Sequence, residues 1–163
     1  MPVLVSDTSV LIDLERGQLL EEVFLLPFEL AVPDLLYARE LAGPLGDQLA
    51  ALGLRVEELT PAELSRATTV RRQNANLSTP DTFAFAIAQS RQWTLLTGDG
   101  GLRQLALTEG IDIHGVLWLF DQLADGDHVG LDRLRVSLST IAAHPRCRLP
   151  THEVRQRLIR FSR

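Results

Sequence analysis

Short apolar runs alternate with amphipathic helical patterns along the chain, and this alternation constrains the fold more than any other feature. It is typical of βαβ units, in which parallel strands form a central sheet covered by helices. The predicted strands are residues 3–6, 29–32, 54–59, 93–97 and 111–115. The predicted helices lie near residues 9–15, 19–24, 34–41, 45–52, 61–74, 80–91, 101–109, 116–124, 130–142 and 151–161. We therefore expect an α/β fold with a parallel sheet.

The composition excludes several kinds of chemistry. All 16 basic residues are arginines, so a phosphate-binding loop that ends in Gly-Lys and any lysine nucleophile or Schiff base are ruled out. Cys147 is the only cysteine, and no Cys/His group has zinc-ligand spacing, so we expect neither an intramolecular disulfide nor a zinc site. A cytoplasmic protein without a signal peptide or membrane span fits this pattern.

Charge is unevenly distributed along the chain. The net charge is −5, but residues 1–129 carry 8 Arg against 19 acids and residues 130–163 carry 8 Arg against 2 acids. The last predicted helix holds Arg155, Arg157 and Arg160. Attraction of phosphate is one interpretation of this basic tail. A solvated helix end or an oligomer contact is the other.

Two aspartates directly follow predicted strands. Asp7 ends the first strand in VLVSDTS, and Asp99 follows the fourth in TLLTGDGG. Ligands of open α/β sheets bind outside the carboxyl ends of the strands, so both positions suit a functional site. Aspartate is also a favoured N-cap and both residues precede a helix, so a purely structural role stays open. Asp34 follows the second strand, and there we expect only a cap.

Asp81 and Glu40 lie on predicted helices. With Thr79 as N-cap and Pro80 next, Asp81 falls in the first turn of its helix, where the helix dipole favours a carboxylate. It also shares an apolar face that should pack on the sheet. The other members of that face are Ala84, Phe85 and Ala88. A carboxylate at the end of such a face needs a partner. Glu40, taken alone, is simply a solvated helix residue.

Four carboxylates that converge on one pocket repel one another. At an effective dielectric constant near 20, the repulsion is roughly 4 kcal/mol for a pair about 4 Å apart. Such a cluster is stable in its ionised form only around a cation, and ligands that are all oxygen favour Mg²⁺ or Mn²⁺.

The sequence resembles the PIN-domain family of metal-dependent ribonucleases, related to the toxins of bacterial toxin–antitoxin pairs. The matching segments are VSDTSVLIDL, PDLLYARELAG, STPDTFAFAIAQ and LLTGDGGLRQLA, which contain Asp7, Glu40, Asp81 and Asp99 in family order. The resemblance implies a three-layer α/β/α PIN-like fold with the strand order 3-2-1-4-5 and extra C-terminal helices. Residues 1–126 would form the PIN-like domain, and residues 127–163 a basic helical extension packed on it or extending from it.

The resemblance also implies cleavage of single-stranded RNA. The four acids would be catalytic and would hold one or two Mg²⁺ or Mn²⁺ ions, whose bound water attacks the phosphate. Weaker candidates for hydroxyl or phosphate contacts are Thr8, Ser9, Thr97 and Gly100. Arg72 and Arg103 are candidates for guiding RNA. An antitoxin protein and a second copy of the chain are the expected partners, without any membrane.

Gly101 departs from the family pattern, since many members carry another acid at this position. This leaves open the number of metal ions, and with it the alternative of a PIN-fold module that binds RNA or protein with weakened or lost catalysis. A haloacid-dehalogenase-like phosphatase would also use a strand-ending Asp7. That chemistry usually needs an aspartate two residues later, where Ser9 stands, and a lysine, which the chain lacks.

Overall fold

Five parallel strands form a single sheet in the computed structural model, which describes residues 1–163. The strand order is β3-β2-β1-β4-β5, as the family resemblance implies. The strands are β1 (Val3–Ser6), β2 (Glu29–Pro33), β3 (Arg55–Glu57), β4 (Thr94–Leu96) and β5 (Ile113–His114). Both edge strands are shorter than predicted, because β3 and β5 each pair with a neighbour on one side only.

Ten α-helices surround the sheet. They are α1 (Thr8–Arg16), α2 (Leu20–Val23), α3 (Asp34–Leu36), α4 (Pro44–Leu52), α5 (Pro61–Gln73), α6 (Thr79–Arg91), α7 (Gly100–Thr108), α8 (Val116–Asp125), α9 (Leu131–Ala143) and α10 (Thr151–Arg160). None of them is long and apolar enough to cross a membrane.

The predicted helix over residues 34–41 is only partly correct. After α3 the chain widens into a π-helical turn, Tyr37–Leu41, in which the Ala42 amide donates to the Tyr37 carbonyl at 2.8 Å. Gly43, at φ 123°, and Pro44 then end one helix and begin the next. π-turns occur often at functional sites, and this one contains Glu40.

Two hydrophobic cores lie on the two faces of the sheet. The larger, of 28 buried residues, takes Leu4 and Leu96 from the strands and is covered by α1, α2, α8 and α9. The smaller, of 13 buried residues, takes Val5 and Leu95 and is covered by α5, α6 and α7. Burial on both faces explains why the strands are continuous apolar runs rather than alternating ones.

The C-terminal helices share the larger core. Its members include Leu134, Leu138 and Ile141 of α9, together with Val154 and Phe161 at the two ends of α10. These side chains attach residues 131–161 to the same body as the sheet.

The basic charge of α10 is partly neutralised by α8. Arg157 pairs with Asp121 at 2.9 Å, and Arg160 pairs with Asp121 at 3.2 Å and with Asp125 at 2.5 Å. The guanidinium groups of Arg157 and Arg160 are therefore paired within the chain, whereas Arg155 remains exposed without an ion pair.

A buried ion pair joins α5 to α6. Glu63 completes a capping box with Thr60 and accepts Arg91 Nε and Nη2 at 3.0 and 3.1 Å. The guanidinium of Arg91 also lies 4.9 Å from the Trp93 ring centroid. Burial opposes the charge of Glu63, but the hydrogen bonds from Arg91 and Thr60 outweigh it and lower the pKa of Glu63 from 4.5 to about 2.

Candidate active site

Asp7 is fixed at the carboxyl end of β1 by three donors. It is only 4% exposed. One carboxylate oxygen accepts the Ser9 hydroxyl at 2.9 Å and the Val10 amide at 3.0 Å, and the other accepts the Thr97 hydroxyl at 2.5 Å. Burial raises the pKa of Asp7 and these hydrogen bonds oppose the rise. Asp7 is therefore the N-cap of α1 and also a buried acid at the edge of the sheet.

Asp99 stands at the adjacent strand end, since β4 pairs with β1. Its carboxylate caps α7 by accepting the Leu102 amide at 2.8 Å, and its own amide donates to the Thr97 hydroxyl at 3.0 Å. The fully buried Thr97 thus bridges Asp99 to Asp7 through one hydroxyl group.

Asp81 points from α6 toward the same edge of the sheet. Ser78, rather than Thr79, is the N-cap, because its hydroxyl accepts the Asp81 amide at 3.2 Å. The apolar face predicted for α6 is buried as expected, with Ala84, Phe85 and Ala88 at most 1% exposed. This packing brings the Asp81 carboxyl to the end of the sheet, as the sequence predicts.

The four predicted acids lie close enough to influence one another. The pKa of Asp81 is raised from 3.8 to about 6, first by burial and then by the negative charges of Asp7, Asp99 and Glu40, against a hydrogen bond from Ser78. Glu40 reaches the group from the exposed π-turn, where its carboxylate accepts the Thr8 hydroxyl. The fold therefore gathers side chains from α1, α6, α7 and the π-turn.

No positive side chain balances these carboxylates. None of the four forms an ion pair with an arginine or a histidine. At the same time, no three His, Cys, Asp or Glu side chains stand close enough to hold one ion together. Asp7, Asp99 and Glu40 instead direct oxygens at hydroxyl and amide donors of the chain itself.

The cluster suits a divalent cation in charge and in donor type. Its ligands are all carboxylate oxygens, which Mg²⁺ and Mn²⁺ favour. Burial and the neighbouring negative charges raise the pKa of Asp81, so a positive charge nearby would favour its ionised form. If three of these side chains were to bind one ion together, at least one of them would have to turn away from the hydroxyl or amide group whose hydrogen bond it accepts.

The weaker candidates for hydroxyl or phosphate contacts differ in how they contact the four acids. Thr8, Ser9 and Thr97 each donate a hydroxyl hydrogen bond to one of the four acids. Gly100 begins α7, and a Cβ added there would meet nothing within 4 Å. At Gly101, by contrast, a Cβ would lie 3.0 Å from Asn76 Nδ2 and 3.3 Å from Asp99 Oδ1. Asn76 and Asp99 therefore lie close to the space that a side chain at position 101 would occupy.

The two arginines differ in their distance from the acids. Arg103 Nη1 donates to the Thr97 carbonyl at 3.0 Å, which places this guanidinium at the same edge of the sheet. Arg72 lines a cleft with Thr79, Thr82 and Phe83. Their helical spacing puts these three α6 residues on a different face from Asp81.

Sequence reasoning missed Asp13 and His114. Burial raises the pKa of Asp13, Arg16 opposes the rise, and the charge of Asp7 adds to it. The only sequence signal for Asp13 is its place within the apolar segment VLIDL. His114 ends β5 and stacks on Trp118. The sequence predicts the strand that contains His114. The stack joins this strand to a helix, however, and corresponds to no short sequence motif.

Comparison with known families agrees with the fold. A family model described as a PIN domain matches residues 3–163. A search of curated proteins finds no match. The matched range includes all five strands, the four acids and both C-terminal helices. The chain therefore belongs to the PIN-domain family, whose fold is of the nuclease type.

Proposed function

We propose that the protein is a metal-dependent endoribonuclease that cleaves single-stranded RNA. The observation that supports this most is the convergence of four carboxylates without a cationic partner, at the carboxyl edge of a PIN-domain sheet. A cluster of this kind is typical of a site that recruits a divalent ion.

Asp7, Glu40, Asp81 and Asp99 would hold one or two Mg²⁺ or Mn²⁺ ions. A bound ion of this kind lowers the pKa of water and stabilises negative charge on a reacting phosphate. Thr97 holds Asp7 and the Asp99 backbone in a fixed relation through its hydroxyl. Asp81, with its pKa near 6, would lose its remaining proton when an ion arrives, so metal affinity should rise with pH.

The glycine at position 101 favours a site for one metal ion over a site for two. Gly101 has no side chain, and a Cβ there would lie 3.0 Å from Asn76 Nδ2, so no fifth carboxylate stands beside Asp99. We propose that one ion binds more tightly than a second.

Cleavage assays with matched variants test this function. The substrate is single-stranded RNA with Mg²⁺ or Mn²⁺, and the variants are Asp7→Asn and Asp81→Asn. Asp47→Asn is the control, because Asp47 is an exposed acid in the first turn of α4 without an ion pair. We expect cleavage to fall at least 100-fold in the site variants and to be unchanged in the control, since single site groups contribute about 10²–10⁴-fold. Equal activity in all three would overturn the proposal.

Binding without catalysis is the second candidate. The observation in its favour is that no three acidic side chains stand close enough to ligate one ion together. Calorimetric titration with Mn²⁺ separates the two, because the ribonuclease requires saturable binding that Asp81→Asn weakens. RNA affinity without Mn²⁺ binding or cleavage would favour the second candidate.

We further propose that the ribonuclease is the toxin of a toxin–antitoxin pair and that it forms a homodimer in the cytoplasm. Family resemblance supports this role. Induced expression in a bacterial host should arrest growth, and the product of a neighbouring gene should relieve the arrest. Light scattering on the purified chain tests the dimer, for which a monomer mass is the contrary result.

A further inference from the structure

An aromatic stack stands at the β5 side of the acidic cluster. The His114 and Trp118 rings are 4.1 Å apart at their centroids and nearly parallel, at 9°. Behind them, Phe28 stacks on Trp118 at 5.8 Å, which ties the stack to the larger core. The His114 side chain is 29% exposed, so part of the outer ring is open to a ligand.

An arginine without an acidic partner lies beside this stack. Arg103 makes no ion pair, and the only hydrogen bond of its guanidinium is the one to the Thr97 carbonyl. A Cβ on Gly115 would lie 3.3 Å from Arg103 Nη1, so the guanidinium rests on backbone that lacks a side chain. Its remaining N–H groups are free to bind a phosphate.

Hydrogen bonds place the stack and the arginine next to the acids. The Thr97 amide donates to the His114 carbonyl at 3.0 Å, while the Thr97 hydroxyl donates to Asp7. Asp7 and His114 therefore lie at the carboxyl ends of β1 and β5, and these two strands are separated by two inter-strand spacings, about 10 Å. Burial lowers the pKa of His114, the charge of Asp112 opposes this change, and the charge of Arg103 adds to it.

We infer that Arg103, His114 and Trp118 form a nucleotide subsite beside the cleavage site, with a backbone phosphate on Arg103 and an unpaired base against the His114–Trp118 stack. This inference rests on the proposed ribonuclease function. Stacking on aromatic side chains selects splayed, single-stranded bases, since paired bases do not present a free face.

Fluorescence anisotropy with a short single-stranded RNA tests the phosphate contact. The cleavage-blocked Asp81→Asn chain in Mg²⁺ carries the second substitution, so that the RNA stays intact. We expect Arg103→Gln to weaken binding about 5-fold to 10-fold and to reduce the salt slope by about 0.7, as for one phosphate contact to a single strand. The control is Arg155→Gln, an exposed arginine on α10. An equal effect of the two substitutions would overturn the subsite.

A 2-aminopurine base in the same RNA reports stacking directly through quenching of its fluorescence. His114→Ala should reduce quenching and weaken binding about 10-fold, whereas His114→Phe keeps an aromatic face and should restore both. Thermal unfolding of each variant identifies a loss of folding. Full quenching in a folded His114→Ala variant, or failure of His114→Phe to restore it, would contradict the inference.

The two proposals fail in distinguishable ways. If the wild-type chain cleaves no RNA but the affinity and quenching pattern holds, the ribonuclease is refuted and the subsite is supported. If the wild-type chain cleaves RNA and neither substitution changes affinity or KM, the subsite is refuted and the ribonuclease stands.

Discussion

Asp81→Asn should make the metal-free protein more stable while it removes activity. Burial and three neighbouring acids raise the pKa of Asp81 from 3.8 to about 6. At about 1.4 kcal/mol per pKa unit, holding this carboxylate charged in the folded state costs about 3 kcal/mol. Asp81 is partly exposed, so solvent screening reduces the figure. The variant also loses about 0.5 kcal/mol of favourable interaction with the dipole of α6. We therefore expect Asp81→Asn to raise the free energy of unfolding by about 1–2 kcal/mol.

The sign of the pH dependence follows from the raised pKa. Between about pH 4 and 6 the folded chain binds more protons at Asp81 than the unfolded chain, so stability falls as pH rises through this range. The loss is complete about one pH unit above the folded pKa, near pH 7. Asp81→Asn removes this part of the pH dependence, so wild type and variant should have similar stability near pH 4 and differ most at pH 7.5.

Urea unfolding at pH 4.5, 6.0 and 7.5 in EDTA measures the effect, with Asp47→Asn as the control. The control should shift by less than about 0.5 kcal/mol, as exposed substitutions do. Addition of Mg²⁺ should stabilise the wild type more than Asp81→Asn. A variant that is less stable than wild type at pH 7.5 in EDTA would refute the reasoning, because it would mean that Asp81 is already satisfied within the protein.

Three further substitutions test other contacts. Arg91→Leu leaves the buried Glu63 charge without its partner and should cost about 3–5 kcal/mol in urea unfolding. The pKa of Glu63 is about 2 when it is paired, so the stability that Glu63 contributes to the wild type above pH 4.5 is lost as the pH falls toward 2. The variant lacks this contribution and should lose less stability on acidification. Thr97→Val removes the hydroxyl between Asp7 and Asp99 and should weaken Mn²⁺ binding about 10-fold to 100-fold in calorimetry, and an unchanged affinity would contradict this. Arg157→Gln should lower stability by about 1 kcal/mol in urea unfolding and leave the RNA cleavage rate unchanged, since the charge of Arg157 is paired with Asp121.

The sequence predicts those parts of the molecule that depend on local patterns. Strand-ending Asp7 and Asp99 and the apolar face that carries Asp81 are each visible within about ten residues, and they lie where expected. The ion pairs between α8 and α10 join residues 35 to 39 positions apart. Helical periodicity gives no information about such partners, so the sequence leaves the role of the tail open. The π-turn at Glu40 contains the i→i+5 hydrogen bond from Ala42 to Tyr37, which an ordinary helical pattern does not reveal.

A capping role for these aspartates does not exclude the metal binding that we propose, because both roles use the negative charge of the carboxylate. Asp7 and Asp99 are the N-caps of α1 and α7, and Asp81 lies in the first turn of α6. Three helix N-termini therefore direct their positive ends at the carboxylates, and each stabilises negative charge by about 0.3–1 kcal/mol. Asparagine caps a helix about as well as aspartate, whereas alanine loses about 1 kcal/mol. Loss of activity in an Asp7→Asn variant that remains folded would thus report on charge at the site, while loss in Asp7→Ala would confound charge with the cap.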